Sequence, residues 1–141
     1  GMDISRNQLA LACEQVPDGQ FIQAEMTQVH FKPATFAAVV SFYAIFHTPR
    51  DGHAELIRRI SQWLTPGGYL LATLSPDAED GYTEEFFGIE MFWSNMGLTE
   101  YLAMLGDSGF DILQRGKVGH GYSDEAAKPE AHPLVLAKKV R

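Results

Sequence analysis

Cysteine is almost missing from this chain: there is one, Cys13, in 141 residues. No internal disulfide can form, which fits a reducing cytoplasm. A basic excess is missing too. Eleven Lys and Arg stand against eighteen Asp and Glu, a net charge of −7. That balance argues against nucleic acid, which needs a basic footprint, and against an anionic membrane surface. No apolar run is long enough to span a bilayer, and no signal-peptide pattern opens the chain. The five histidines (His30, His47, His53, His120 and His132) show no i, i+4 pairing and no thiolate neighbour, so a metal site is not expected. A glycine-rich turn of the kind that cradles phosphate is also lacking. Gly67-Gly68 follows a helix and does not lead directly into another, so it reads as a turn. Gly1-Met2 looks like a cloning scar and a start codon, and no strand of normal length precedes Asp3.

What is present suits one globular domain over residues 1–141, with 45% apolar and 21% charged residues. Asp3-Ile4 reads as the last residues of a strand. Ser5 and Gln8 form a capping box, which starts a helix over 5–15; Pro17-Asp18-Gly19 ends it. A short strand is expected over 20–24. Residues 36–43 form an apolar run without alternation, as in a strand covered on both faces. The clearest helix spans 51–64. Leu56, Ile57, Ile60, Trp63 and Leu64 form one stripe on it, while Glu55, Arg58, Arg59 and Gln62 face water. Pro66-Gly67-Gly68 breaks that helix, and 69–74 is a second buried strand. Cys13 reads as a small buried apolar residue.

Strand, helix, strand, helix, strand implies right-handed crossovers and a parallel sheet. Residues 75–97, with five aromatics from Tyr82 to Trp93, read as an irregular lid holding one short strand. These aromatics suit an acceptor pocket, the core or a dimer surface equally. A helix over 99–107 turns Tyr101, Leu102 and Leu105 inward, with Gly109 just past its end. Residues 110–117 and 133–140 read as two closing strands antiparallel to each other, joined by a polar surface loop over 119–131.

These elements and their residues, in this order, resemble the class I S-adenosylmethionine-dependent methyltransferases of the small-molecule group. Asp3-Ile4-Ser5 resembles the end of that family's second strand. Phe21-Ile22-Gln23-Ala24-Glu25-Met26 resembles its third strand and acidic turn. Residues 36–43 followed by His47 resemble its fourth strand and the start of the next helix. Leu64-Thr65-Pro66-Gly67-Gly68 resembles its passage into the fifth strand, and Gly109-Phe110 the start of the sixth. The likeness runs from Asp3 to Val140. It implies a Rossmann-like α/β three-layer sandwich, mostly parallel, closed by an antiparallel strand pair. It also implies S-adenosylmethionine as cofactor and a small-molecule methyl acceptor.

By position, the resemblance makes Asp3 the acid for the ribose hydroxyls, Glu25 the acid for the adenine amine and Met26 the residue covering the adenine. Ile4 and Ser41 would line the same cofactor site. Tyr43 and His47, just after the fourth strand, are the catalytic candidates. Each residue also has a plain structural reading. Asp3 can simply cap a helix, Glu25 can be a solvated acid, and Met26 can be packing. His47 can act as a base or orient an acceptor, or else hydrogen-bond a neighbouring carbonyl. The sequence departs from the family pattern at Glu25, where Asp is usual, and at Ala37, where an acid is usual. It departs most in lacking the first strand and its glycine-rich loop. On that reading the chain is N-terminally truncated and leaves strand edges open. A homodimer is then expected, with strand swapping one way to form it. The alternative function is a non-catalytic remnant that folds as a dimer without cofactor. A hydride-transfer enzyme on the related dinucleotide-binding fold is a third reading.

Overall fold

Ser5 starts the first helix as its spacing implies. Its hydroxyl accepts the Gln8 backbone N–H at 3.4 Å, satisfying one of the orphan donors of a helix start. The computed structural model describes residues 1–86, 88–119 and 131–140. These divide into two units, residues 1–31 and 32–141. The first holds strand β1 (Met2–Asp3), helix α1 (Arg6–Gln15) and strand β2 (Ile22–Gln23). β1 and β2 pair in parallel, with Asp3 in register with Gln23. Cys13 is exposed, against the expectation of burial. No residue of α1 is buried, because the two-residue strands beside it offer little surface to cover it.

The second unit is built on a mixed four-stranded sheet. Strand β3 (Phe36–Ser41) pairs in parallel with β4 (Leu64–Thr73). β4 pairs antiparallel with β8 (Ala131–Lys139), and β8 antiparallel with β7 (Phe110–Gly119). The spatial order is β3-β4-β8-β7. The antiparallel closing pair is therefore present, but among the described residues parallel pairing is limited to β1–β2 and β3–β4, less than the mostly parallel sheet expected. β3 also corrects its expectation. None of its six residues is buried, and Val40 is 58% exposed. It lies at an end of its sheet, so β4 covers only one of its edges.

Helix α2 (His53–Trp63) follows the apolar stripe read from the sequence: Leu56, Ile57, Ile60 and Trp63 are all buried. Each contributes roughly 1.5–3 kcal/mol of burial. Arg59 was expected to face water but is buried, with its guanidinium carbon 5.2 Å from the Trp63 ring centre. The guanidinium is planar and more weakly hydrated than an ammonium, so it is buried against an aromatic face at lower cost. Between Phe36↔Leu64 and Ala38↔Tyr69 the register jumps, so residues 65–68 loop out of β4. Gly67, at φ +78°, takes the left-handed turn there.

Residues 75–97 hold a hairpin instead of an irregular lid. Strand β5 (Glu79–Phe86) pairs antiparallel with β6 (Ile89–Asn95). Its acids Glu79, Glu84 and Glu85 are poor strand formers, and cross-strand pairing overrides them. Helix α3 (Leu98–Asp107) buries Tyr101 and Leu105, and Gly109 follows at φ +85°. The polar loop expected over 119–131 lies, for 120–130, outside the described residues, as does Phe87. Among the described residues no helix is long and apolar enough to cross a membrane.

Candidate functional site

In the first unit, parallel pairing sets two acids at the carboxyl ends of adjacent strands. Asp3 ends β1, and its carbonyl accepts the Ala24 N–H at 3.1 Å. Glu25 is therefore the next residue beyond that bond. Asp3 Oδ1 accepts the Ser5 N–H at 2.7 Å. Glu25 Oε1 accepts both the N–H and the hydroxyl of Thr27, at 3.1 Å each. Each acid thus has one oxygen fixed by a local turn, which orients the carboxylate. Asp3 and Glu25 are part-buried and Met26 is half-buried, while Ile4 is 64% exposed. The Ile4 carbonyl accepts the side-chain amide of Gln23 at 3.0 Å.

In the second unit, Ser41 ends β3 opposite Ala72 of β4. Two residues on, Tyr43 holds φ +49°. This is a costly conformation for a bulky residue, of order 1–3 kcal/mol, and such strain clusters at functional sites. The Tyr43 N–H donates to Thr73 Oγ1 at 2.6 Å, which fixes the turn. A short 3₁₀ turn, Ile45–His47, then buries Phe46. Phe46 lies between two stacked rings, Trp93 at 5.6 Å and His132 at 5.1 Å. His47 lies 4.4 Å from the Trp93 ring centre, and Tyr43 meets His132 edge-on at 5.2 Å. Tyr43 and His47 therefore join one aromatic cluster around Phe46.

His47 Nδ1 is 2.9 Å from the Phe92 carbonyl. A carbonyl only accepts, so Nδ1 carries the proton and Nε2 the lone pair. This is the carbonyl bond weighed against a catalytic role, and it leaves a basic nitrogen on the same ring.

The cluster borders a cavity of about 190 Å³. It is lined by Ser75, Asp77 and His132 on one side and by Tyr82, Trp93 and Asn95 of the hairpin, among others. One wall follows the carboxyl end of β4, where ligands sit in open α/β sheets. The hairpin wall is anchored by the Arg50 N–H donating to Ser94 Oγ at 3.0 Å and by an ion pair between Arg50 and Asp80. The aromatic run 82–93 was the one signal of this pocket in the sequence. Asn95 and His132 carried none, because they join it only through strand pairing, Asn95 opposite Glu79 and His132 on β8 beside β4.

Residues 1–68 match the family model for a methyltransferase domain, just under half of the 141-residue chain. A comparison with curated proteins gives no match. Among solved structures, a Methanosarcina mazei S-adenosylmethionine-dependent methyltransferase superposes with a TM-score of 0.79 at 14% identity. It covers 99% of this chain and 81% of its own. One from Mesorhizobium loti gives 0.72 at 19%, covering 99% and 79%. The N-methyltransferase NodS of Bradyrhizobium japonicum, solved with S-adenosyl-L-homocysteine, gives 0.71 at 13%, covering 99% and 65%.

Proposed function

We propose that this chain, which shares the fold of S-adenosylmethionine-dependent methyltransferases and matches a methyltransferase-domain model over residues 1–68, transfers a methyl group from S-adenosylmethionine to a small-molecule acceptor. The observation that carries the reading furthest is the acid pair Asp3 and Glu25 at the ends of parallel β1 and β2. Their donor set fits a nucleoside: two carboxylates, each with a second oxygen not engaged by the local turn, suit ribose hydroxyls and an adenine amine. Met26 is half-buried beside Glu25 and suits the face of the ring. Ile4 and Ser41 remain cofactor-site candidates on position alone.

The bound cofactor supplies a methyl group already activated on a sulfonium, so the protein's task is chiefly to position the acceptor. Tyr43, tethered to Thr73, and His47, tethered to Phe92, hold rings at the edge of the cavity. His47 Nε2 is the atom that would take a proton from an acceptor N–H or O–H as it is methylated. Both units serve one methyltransferase domain in this reading. A single exposed cysteine suits the cytoplasm. Val40 of β3 and Phe42 just past its end are exposed apolar residues, which supports a homodimer.

The reading is tested with S-adenosylmethionine carrying a labelled methyl group and a panel of small amines, phenols and carboxylic acids. Label in one acceptor, reduced roughly 10²-fold or more in His47→Ala, supports it. No transfer to any acceptor, together with no binding of S-adenosylhomocysteine, refutes it and favours the non-catalytic remnant.

A further inference from the structure

We propose that the cavity of about 190 Å³ binds the ammonium end of a small cationic molecule, and that this molecule is the methyl acceptor, the second half resting on the methyltransferase reading above. The bound ammonium has no lone pair, so the methyl goes to another N–H or O–H of the molecule, whose proton passes to His47 Nε2. Its charge points that way first. Asp77, Glu79 and Glu84 line it, and among the described residues no Lys or Arg does. Among the described residues none of the three is in an ion pair. A cation entering between them gains from all three, and the net charge of −7 steers it inward. The walls suit a cation too, since Tyr82 and Trp93 both face the cavity and aromatic faces attract ammonium groups.

Carboxylates on a hairpin are usually a solvated face. Here two further observations oppose that reading. Asn95 lines the cavity while only 7% exposed, and its Oδ1 meets no donor among the described residues. A buried amide oxygen without a partner costs about 1–3 kcal/mol, and an ammonium N–H arriving in the cavity is the donor it lacks. The indole N–H of Trp93 likewise meets no acceptor among the described residues, which a ligand oxygen or a water would satisfy.

The strand register is the second observation. Glu79 pairs with Asn95 and Tyr82 with Trp93, three residues apart on β5 but two apart on β6. In a regular strand, residues three apart point to opposite faces. The extra residue is a β-bulge, which returns Glu79 and Tyr82 to the same face. Without it the acid and the aromatic would not line one cavity. The volume lies below the several hundred Å³ of sites for drug-sized ligands, so the ligand is small or inserts only one end.

The test uses 2-phenylethylamine, with 2-phenylethanol as its neutral match and 3-phenylpropionate as its anionic one. Binding to the full chain is measured by calorimetry at pH 7, in the wild type and in Glu79→Gln/Glu84→Gln, both exposed positions that leave the core intact. The amine should bind roughly tenfold tighter than the alcohol, with the acid undetectable, and the double variant should lose that preference. Thermal unfolding confirms that the variant is folded. Equal binding of amine and alcohol, or an unchanged preference in the variant, overturns the amine site. A parallel titration with S-adenosylhomocysteine separates the two claims. Amine binding without cofactor binding overturns the acceptor role. Cofactor binding without amine preference overturns the amine site alone.

Discussion

Tyr101 Oη lies 2.9 Å from His53 Nδ1, and both residues are fully buried. The rings stack 5.7 Å apart. His53 Nε2 is 2.9 Å from the Thr48 carbonyl, so it carries the ring proton. Tyr101 therefore donates to Nδ1, and its oxygen accepts the Met96 N–H at 3.4 Å. One chain of hydrogen bonds thus ties the turn before α2 to α3 and to the segment that follows β6. Tyr101→Phe keeps the ring and leaves both His53 Nδ1 and the Met96 N–H without this partner. It should cost about 1–3 kcal/mol, read as a lower urea midpoint at unchanged slope.

Burial lowers the His53 pKa from its ordinary value of 6.5, more than its backbone bonds to Thr48 and Ile45 and the nearby Asp51 raise it. In the folded state the ring stays neutral where the unfolded chain is protonated. Stability from this residue is complete above pH 6.5 and falls as pH drops below it. Unfolding free energy measured from pH 7.5 to 5 should decline, and His53→Gln should flatten the decline. Burial pushes the Tyr101 hydroxyl up to about 12. That group is a separate source of instability between pH 10 and 12, which Tyr101→Phe should remove.

Gly68 is needed for space. A Cβ there would sit 2.9 Å from the Thr65 carbonyl oxygen and 3.0 Å from that of Ala37, both backbone atoms that cannot swing away. Gly68→Ala should destabilise by about 1–3 kcal/mol. The same change at Gly106, where nothing stands within 4 Å in helix α3, should stabilise by about 0.5–1 kcal/mol. Thermal unfolding of the two variants side by side checks both signs.

Elements whose signal is local were legible. The stripe of α2, the inward Tyr101 and Leu105 of α3, and the glycine ending α3 follow from spacing within a few residues. So did the antiparallel pairing of β7 and β8. What depends on distant partners was not legible. The acids of β5 hide a strand that only its register with β6 reveals. Arg59 reads as a surface charge until Trp63 is seen beneath it. His53 and Tyr101 are 48 residues apart and share no motif. In the candidate site, Asp3 and Glu25 were named from the family resemblance, and Tyr43 and His47 from their places just after a strand. Asn95 and His132 were missed because strand pairing alone brings them to the cavity.

Thr73 is a buried residue whose hydroxyl accepts the Tyr43 N–H. Thr73→Val keeps the shape and removes that acceptor from a strained turn. Stability should fall by about 1–3 kcal/mol. Transfer to the acceptor should fall further than cofactor binding, because the turn positions Tyr43. Comparing the two losses at a temperature where the variant is folded distinguishes misplacement from unfolding.

The central claim is that Asp3 and Glu25 hold the nucleoside of S-adenosylmethionine. Calorimetric titration with S-adenosylhomocysteine tests it most directly, in the wild type and in Asp3→Asn, which keeps an oxygen for the Ser5 N–H but removes the charge. The account predicts micromolar binding by the wild type, weakened at least about tenfold in Asp3→Asn. A folded wild type that does not bind, or a variant that binds equally well, would contradict it.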